Sequence, residues 1–325
     1  MITDADTSFH TPADCPFDWA ETGFFYCFVP EANLVAWVYI VARPGVGAMV
    51  ADIEVIAEMS TNPLDAWYID CQQHLPLPQK FEDFSLPNGL DVKAHSIRDY
   101  RLDYVGVDNT ELHLDVIGLM EPYDIHDPSM DPMAKADEAD QIKGSGFGRA
   151  YSNHFDMTCR VKGTLKVRGR SFDVDCVSTM DHSWGPRHER GMNPMTWINA
   201  NFGEDYALHS IWSYEPREVP EKQFTFAHGY ALVDGQVKGF KEGEMVAQRN
   251  KHDRFAAAYE QRFVDVDNRQ YRAFGSPLSQ HLWSPYSCTY VPNIFLRWQS
   301  DGRIGYGNVQ ENNPLDRETG RTLRK

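Results

Sequence analysis

The sequence predicts an all-β protein built as two antiparallel β-barrel domains side by side. Short segments rich in Val, Ile, Tyr, Phe and Trp alternate with turns that contain Gly, Asn or Asp, which is typical of β-hairpins in series. Helical periodicity is nearly absent from the chain. Five hairpins follow one another in the second half, and such a run favours a barrel because closure removes exposed strand edges.

The length and charge of the chain narrow the class of protein. At 325 residues and 37.2 kDa, the chain has room for two ordinary domains. Its 47 acidic and 31 basic side chains give a net charge of -16, which excludes nucleic acid as a favoured partner. No apolar run approaches the ~20 residues of a membrane-spanning helix, so no membrane span is predicted. The acidic, polar first residues lack the pattern of a secretory signal, and we expect a cytoplasmic protein.

The first half of the chain reads as a series of strands that ends in an irregular segment. The segments "FFYCFVP", "LVAWVYIVARP" and "AMVADIEVIAEM" come first, and alternating strands follow around a turn at Asp108-Asn109. Residues 121–148 are rich in Pro, Asp, Met and Gly and show no strand pattern, which is unusual inside a compact domain. We therefore predict an N-terminal barrel domain over residues 1–148, with this loop at its end, and a C-terminal barrel domain over 149–325.

The second half contains the five hairpins. Their turns are predicted at Arg168-Gly169, Gly203-Glu204, Asp234-Gly235, Asp267-Asn268 and Asp301-Gly302. The first of these hairpins leads directly into the motif "DHSWG", residues 181–185, which the prediction assigns to the C-terminal barrel.

Side-chain alternation divides the motif between two faces of its strand. Counted back from the turn, Val174, Cys176 and Met180 share an apolar face. Continuing the alternation places His182 and Trp184 on that interior face and Asp181 and Ser183 on the other. Burying an imidazole in an apolar interior costs free energy unless the ring has a hydrogen-bond partner, so this position is a candidate site.

The next hairpin supplies candidate substrate-binding residues. With its turn at Gly203-Glu204, Trp197, Asn199, Tyr206 and Trp212 fall on one face and His209 falls on the other. Aromatic side chains mixed with a few amides are typical of a pocket for a large apolar ligand that carries one polar group.

The sequence motifs of several common kinds of enzyme and metal site are absent from the chain. No phosphate-binding glycine loop and no GxSxG elbow are present. The six cysteines include no CxxC pair, and the twelve histidines include no HxH or HExxH pair. Neither a cofactor nor a metal is therefore predicted.

A resemblance to a known family adds to these observations. In "GTLKVRGRSFDVDCVSTMDHSWGPR", residues 163–187, and in the closing strand "GRIGYGNVQE", the sequence resembles the carotenoid hydratases (hydroxyneurosporene synthases) and their AttH-like relatives. Those proteins are two lipocalin-like β-barrels. The resemblance implies cofactor-free chemistry on isoprenoid molecules: addition of water to an alkene, its reverse, or cyclisation. It also implies that His182 and Trp184 take part in activity, whereas a tyrosine and an aspartate expected near residues 209–211 are not present.

We therefore expect a cofactor-independent hydratase, dehydratase or isomerase that uses acid-base chemistry on a terpenoid-, carotenoid- or steroid-like substrate. The expected roles are His182 as acid or base, Trp184 as a wall facing a carbocation, and Asp181 as an orienting group or acid. Two alternatives stay open: a calycin-type carrier of a lipophilic ligand and a cofactor-free cyclase. The expected partner is a small hydrophobic molecule, and a homodimer is also left open.

Overall fold

The computed structural model describes residues 1–135, 153–187, 192–249, 255–286 and 288–315. The chain divides into two compact units. The first comprises Met1–Ala57, Ala66–Asp124 and Ser152–Arg187, and the second comprises Glu58–Asp65, Ile125–Tyr151 and His188–Lys325. Within the described ranges, no helix is both long enough and apolar enough to cross a membrane.

Strands make up most of both units. The first unit contains β1 (Trp19–Val29), β2 (Leu34–Arg43), β3 (Ala48–Ile56), β4 (Tyr68–Pro76), β5 (Asp83–Ser85), β6 (Leu90–Ala94), β7 (Asp99–Val105), β8 (Glu111–Gly118), β9 (Tyr123–Asp124), β10 (Asn153–Val167) and β11 (Arg170–Pro186). The second unit contains β12 (Met195–Gly203), β13 (Tyr206–Tyr214), β14 (Phe224–Val233), β15 (Gln236–Arg249), β16 (Ala256–Asp265), β17 (Gln270–Trp283), β18 (Thr289–Ser300) and β19 (Arg303–Pro314). Short 3-10 helices span Asp4–Thr7, Pro30–Ala32, Pro44–Val46, Pro63–Asp65 and Pro220–Lys222.

The first unit is one curled antiparallel sheet with the strand order β4-β3-β2-β1-β11-β10-β8-β7-β6-β5, and β9 pairs with β10. Side chains link the edge strand β4 to β7: the Tyr68 and Tyr104 hydroxyls lie 2.6 Å apart, and Tyr104 donates to Asp70 at 2.7 Å. The fold class predicted from the sequence, an all-β protein with two lipocalin-like units, is confirmed.

The two faces of this sheet are distinguished on β7 and β8. Leu102 and Leu114 are buried on what we call the inner face, whereas Arg101 and Asp115 point away from it and are more exposed. The clean alternation follows the period of two along a strand. On β1, β2 and β3, in contrast, almost every residue of both faces is buried.

The β10–β11 hairpin corrects the predicted domain division. β11 pairs with β1, and β10 pairs with β8, so the "DHSWG" motif belongs to the first unit. The predicted boundary after Gly148 lies outside the described residues, and the strands that follow it complete the N-terminal sheet. Strand periodicity locates a strand but does not name its partner, which is why the sequence placed this hairpin in the wrong barrel.

The second unit is a closed barrel in which the eight strands from β12 to β19 pair in chain order. Its inner face is filled by aromatic and aliphatic side chains, among them Trp212, Phe240, Phe263 and Trp298. The hairpin turns at Asp234-Gly235 and Asp301-Gly302 are found as predicted, with both residues of each turn at positive φ.

The β12–β13 hairpin differs from its prediction by one residue. The turn lies at Glu204-Asp205, and a bulge falls between Asn201 and Gly203. A shift of one residue moves every later side chain to the opposite face. Tyr206 and Trp212 consequently point into the barrel interior.

Candidate functional site

The motif strand β11 has a different chemical environment on each of its faces. His182 lies between Gly23 and Phe155 of the neighbouring strands and, with Trp184, belongs to the inner face. Asp181 belongs to the outer face, directly across from Asp156. The division between the two faces is the one that alternation predicts.

The inner-face imidazole is enclosed by rings. His182 is 3% exposed, and its ring centroid lies 5.0 Å from that of Phe81, 5.6 Å from that of Phe155 and 5.1 Å from that of Trp184. A second imidazole, His10, stacks on Trp184 at 3.7 Å with an interplanar angle of 5°.

His10 is held by two carboxylates. Its Nδ1 lies 3.3 Å from Glu21 Oε2, and its Nε2 lies 3.1 Å from Asp6 Oδ1. The buried Glu21 also accepts hydrogen bonds from the His10 backbone N–H at 2.8 Å and from Trp19 Nε1 at 3.2 Å. Sequence reasoning missed His10, Glu21 and Asp6 because nothing in their spacing links them to residue 182.

Burial sets the charge of the inner imidazole. Burial, reinforced by the nearby His10 and His154, lowers the pKa of His182 to about 3. The ring is therefore neutral at physiological pH. A neutral imidazole can bind a metal ion, but it does not suit the proton-donor role considered for His182.

The outer face of the same strands carries acids among aromatic rings. A row of directly paired residues crosses five strands in the order Asp52, Tyr39, Phe24, Asp181 and Asp156. We call this surface, with the neighbouring row, the acid-aromatic face. It consists of Asp52, Glu54, Asp156, Asp181, Phe24, Tyr26, Trp37 and Tyr39, and it includes His154, which shares a face of β10 with Asp156.

One end of the acid-aromatic face holds a histidine beside two carboxyl groups. His154 Nε2 lies 2.9 Å from Asp156 Oδ2, and both side chains are at most 1% exposed. Asp181 is the cross-strand neighbour of Asp156. Burial raises the pKa of Asp181 to about 7, with His154 and Arg187 opposing the shift and Asp156 adding to it.

Arg187 fixes the end of the motif strand. Its guanidinium donates to Ser183 Oγ at 2.7 Å and to the Tyr39 hydroxyl at 3.3 Å, and its backbone N–H donates to the Asp18 carbonyl at 2.7 Å. Ser183 Oγ lies 2.7 Å from Thr22 Oγ1 on β1. This network holds β11 against β1 on the outer face.

The other end of the acid-aromatic face is also acidic. Asp52 and Glu54 are 1% and 4% exposed. Burial raises the pKa of Glu54 to about 8, and a hydrogen bond involving Asp52 opposes the shift.

The five substrate-binding residues predicted in the second unit do not converge. Trp197 and His209 share the outer face of the barrel with Asn199, which is paired directly with His209. On the interior face, the Tyr206 hydroxyl lies 2.7 Å from Ser300 Oγ, and Trp212 Nε1 donates to Ser210 at 2.9 Å. The predicted grouping of Tyr206 and Trp212 with Trp197 and Asn199 was therefore wrong, as was the separation of His209 from Asn199.

A cleft of about 850 Å³ lies elsewhere in the second unit. Aromatic and charged side chains line it, and none of the predicted site residues is among them. The lining residues are Met133, Thr225, Phe226, Lys241, Glu242, Gly243, Glu244, Arg262, Phe263, Val264, Gln270, Tyr271, Arg272 and Asp301.

The fold is similar to that of solved proteins with low sequence identity. A protein provisionally described as AttH from Nitrosomonas europaea shares 13% identity and a TM-score of 0.56, over 90% of this chain and 91% of that chain. Kievitone hydratase from Nectria haematococca shares 10% identity and a TM-score of 0.53, over 90% and 88%. CghA, solved with Sch210972, shares 11% identity and a TM-score of 0.50, over 92% and 89%.

At these identities the likeness concerns the fold alone. No curated protein matches the sequence significantly. Residues 3–315 match the family described as a domain of unknown function, DUF7064, and the chain belongs to that family.

Proposed function

We propose that the protein is a hydratase or dehydratase that acts by acid-base chemistry on a hydrophobic, alkene-containing substrate at the acid-aromatic face of the first unit. The observation that carries this proposal is the His154–Asp156 pair, 2.9 Å between Nε2 and Oδ2, beside the Asp181 carboxyl on a buried surface. The likeness of fold to kievitone hydratase is in keeping with this class of reaction.

Hydration of an isolated alkene needs two proton transfers at neighbouring positions. One proton goes to an alkene carbon, and a second proton leaves the water that attacks the resulting carbocation. His154 and Asp181 are carried by adjacent strands, whose spacing is about 4.8 Å, so they can serve adjacent substrate atoms. Asp156 orients the imidazole as the third member of the group. Dehydration of a tertiary alcohol runs through the same two transfers in the reverse order.

The aromatic rings suit the intermediate of this reaction. The ring centroids of Phe24 and Tyr39 lie 6.3 Å apart, and those of Phe24 and Tyr26 lie 5.9 Å apart, which makes a continuous strip beside Asp181. The faces of aromatic rings stabilise a desolvated cation by about 2 kcal/mol. Burial of the strip keeps bulk water away from the cation and so limits side reactions.

This proposal changes the roles expected from the sequence. Asp181 becomes a member of the proton-transfer pair. His182 and Trp184 point to the opposite face of β11 and do not touch a substrate on the acid-aromatic face.

The test is label incorporation with matched variants. The protein is incubated in deuterated water with a panel of terpenoid and steroid alkenes and tertiary alcohols, and the products are analysed by mass spectrometry. We expect His154→Asn and Asp181→Asn each to lower turnover by about 100-fold or more.

The control variant is His113→Asn. This histidine also pairs with an aspartate, 2.6 Å from Asp103, but it lies on β8 and is about one-third exposed. Its loss should leave turnover within about twofold of wild type. Undiminished turnover in both the His154 and Asp181 variants would overturn the proposed site, and tight binding without label incorporation would identify a carrier.

A further inference from the structure

We propose that His10, Glu21 and His182 form a binding site for a divalent transition-metal ion, with Zn²⁺ as the favoured occupant. The site lies on the inner face of the first unit, on the side of β11 opposite to the acid-aromatic face, and the proposal does not depend on the hydratase function. No short sequence motif unites the three residues, because they come from the N-terminal segment, β1 and β11.

The positions of the donor atoms fit a metal centre. One donor atom from each of the three side chains lies within 4.8 Å of the other two. His10 Nδ1 and Glu21 Oε2 are 3.3 Å apart, which is roughly the separation of two ligands on a tetrahedral zinc ion with bonds of about 2.1 Å. Shifts of about 1 Å in the side chains would bring the third donor to bonding distance.

A buried polar atom at the site is left without a partner. His182 Nε2 has no hydrogen bond to any described residue, although the side chain is 97% removed from solvent, with 3% exposed. An unsatisfied buried nitrogen costs about 1–3 kcal/mol, and an ordered water or ion usually accounts for one. A simple ion pair among His10, Glu21 and Asp6 would explain His10 but would leave this atom unexplained.

The surrounding groups orient the ligands as they do in known metal sites. Asp6 Oδ1 lies 3.1 Å from His10 Nε2, so an N–H on that nitrogen would leave Nδ1 free to bind a metal. The Glu21 carboxylate is fixed by the backbone N–H of His10 and by Trp19 Nε1. A bound metal ion displaces the ligand proton, so both imidazoles would be uncharged in the metal-bound site, and the charges of Glu21 and Asp6 would then balance those of a divalent cation.

The enclosure and the ligand number point to zinc chemistry. Trp184 stacks on His10, and Phe81 and Phe155 flank His182, so the ion would sit in an apolar shell. Two histidines and one glutamate with a fourth position open is a known catalytic zinc set. The ion would also fasten the N-terminal segment to β1 and β11, so its binding should stabilise the folded protein.

The experiment measures metal binding without substrate, so its result is independent of the proposed hydratase. The full-length protein is freed of metal with a chelator and titrated with ZnCl₂ by calorimetry, and with CoCl₂ while the visible absorption of Co²⁺ is recorded. We expect one equivalent of zinc, a rise in Tm on zinc addition, and the strong visible bands of four-coordinate cobalt.

Three ligand variants, a variant of the orienting residue Asp6 and one control decide the outcome. His10→Gln, Glu21→Gln and His182→Phe should each weaken zinc binding by about 100-fold or more and remove the rise in Tm. Phenylalanine at position 182 suits the aromatic surroundings, so that variant should stay folded, as checked by circular dichroism. Asp6→Asn should weaken binding by about 10- to 100-fold.

His113→Asn should bind zinc as wild type does, since His113 lies at the more exposed outer side of β8. Wild-type protein that takes up neither zinc nor cobalt would overturn the site. Full stoichiometric binding that survives in all three ligand variants would overturn it as well.

Discussion

The curled sheet of the first unit and the closed barrel of the second differ in the surroundings of their buried acids. In the barrel, Arg249 meets the buried Glu311 through two hydrogen bonds of 2.6 and 2.8 Å, and Tyr259 donates to the same carboxylate at 2.8 Å. The charges there are matched and satisfied. In the sheet, burial raises the pKa values of the acids Glu54 and Asp181 to about 8 and about 7, and it lowers the pKa of His182 to about 3.

The difference indicates which unit is organised for stability and which for chemistry. A matched buried pair is stable only as long as both partners remain, and it offers no group for reaction. Acids and bases whose pKa values are pushed apart are typical of functional sites. We therefore expect acid-base activity in the first unit and stabilising ion pairs in the second.

Arg249→Met should give the largest loss of stability. The substitution leaves Glu311 buried without its cation, and breaking such a pair costs about 3–5 kcal/mol. The free energy of unfolding is measured by urea denaturation. The double variant Arg249→Met, Glu311→Leu should recover most of the loss, while Arg272→Met in an exposed pair with Glu260 should change stability by less than about 1 kcal/mol. If the single variant were as stable as wild type, the barrel pair would not be structural.

Glu54→Gln should make stability less dependent on pH. The pKa of Glu54 is about 8 in the folded protein and near its usual 4.5 when unfolded, so the folded state holds the extra proton between these values. Wild type should lose stability relative to the variant as pH rises through this window, by up to about 1.4 kcal/mol per pH unit and about 4–5 kcal/mol over the whole window.

The measurement is urea denaturation of both proteins at several pH values from 5 to about 8. Glu31→Gln at an exposed position serves as the control. Parallel pH curves for wild type and the Glu54 variant would contradict the burial argument for this acid.

Thr22→Val should have a smaller effect. The valine removes a buried hydroxyl that lies 2.7 Å from Ser183 Oγ, and a single hydrogen bond contributes about 1 kcal/mol. Because Arg187 still donates to Ser183, the loss should stay near that value. Differential scanning calorimetry measures the change in Tm, and a loss above about 3 kcal/mol would show that this contact does more than join two strands.

Asp175→Asn should have the smallest effect of the four. Asp175 accepts two hydrogen bonds of 2.9 Å from Arg160, but its side chain is 57% exposed. Water and salt screen such a pair, so we expect a change below about 1 kcal/mol in urea denaturation. A larger change would remove the distinction between surface and buried pairs on which the comparison depends.

The sequence was sufficient to predict local strand geometry. The shared face of Val174, Cys176 and Met180 follows from the Arg168-Gly169 turn, and all three side chains are buried on β11. The directions of His182 and Asp181 were predicted in the same way. Successive side chains on a strand point to opposite faces, so once the turn is located, counting along the strand assigns each residue to a face. The prediction failed at β12–β13. A bulge between Asn201 and Gly203 moves the turn by one residue there, so the faces counted from the predicted turn were wrong.

Long-range pairing could not be predicted from a single sequence. His10 and Glu21 join His182 only because β1 and β11 are neighbours in the sheet, and no short-range pattern encodes that partnership. His154 and Asp156 carried a weak signal, since residues two apart on a strand share a face. The signal points to a site only in the folded sheet, where β10 lies beside β11 and Asp156 is next to Asp181.

The position of the β10–β11 hairpin has a consequence for the order in which the chain is synthesised. Until Pro186 has been made, β1 is paired only with β2, and β8 is paired only with β7, so two half-sheets each present an open edge. Open edges of this kind invite pairing with other chains. The growing polypeptide is therefore prone to pair with other chains until Pro186 has been made. The β10–β11 hairpin then pairs with β1 and β8 and covers both open edges.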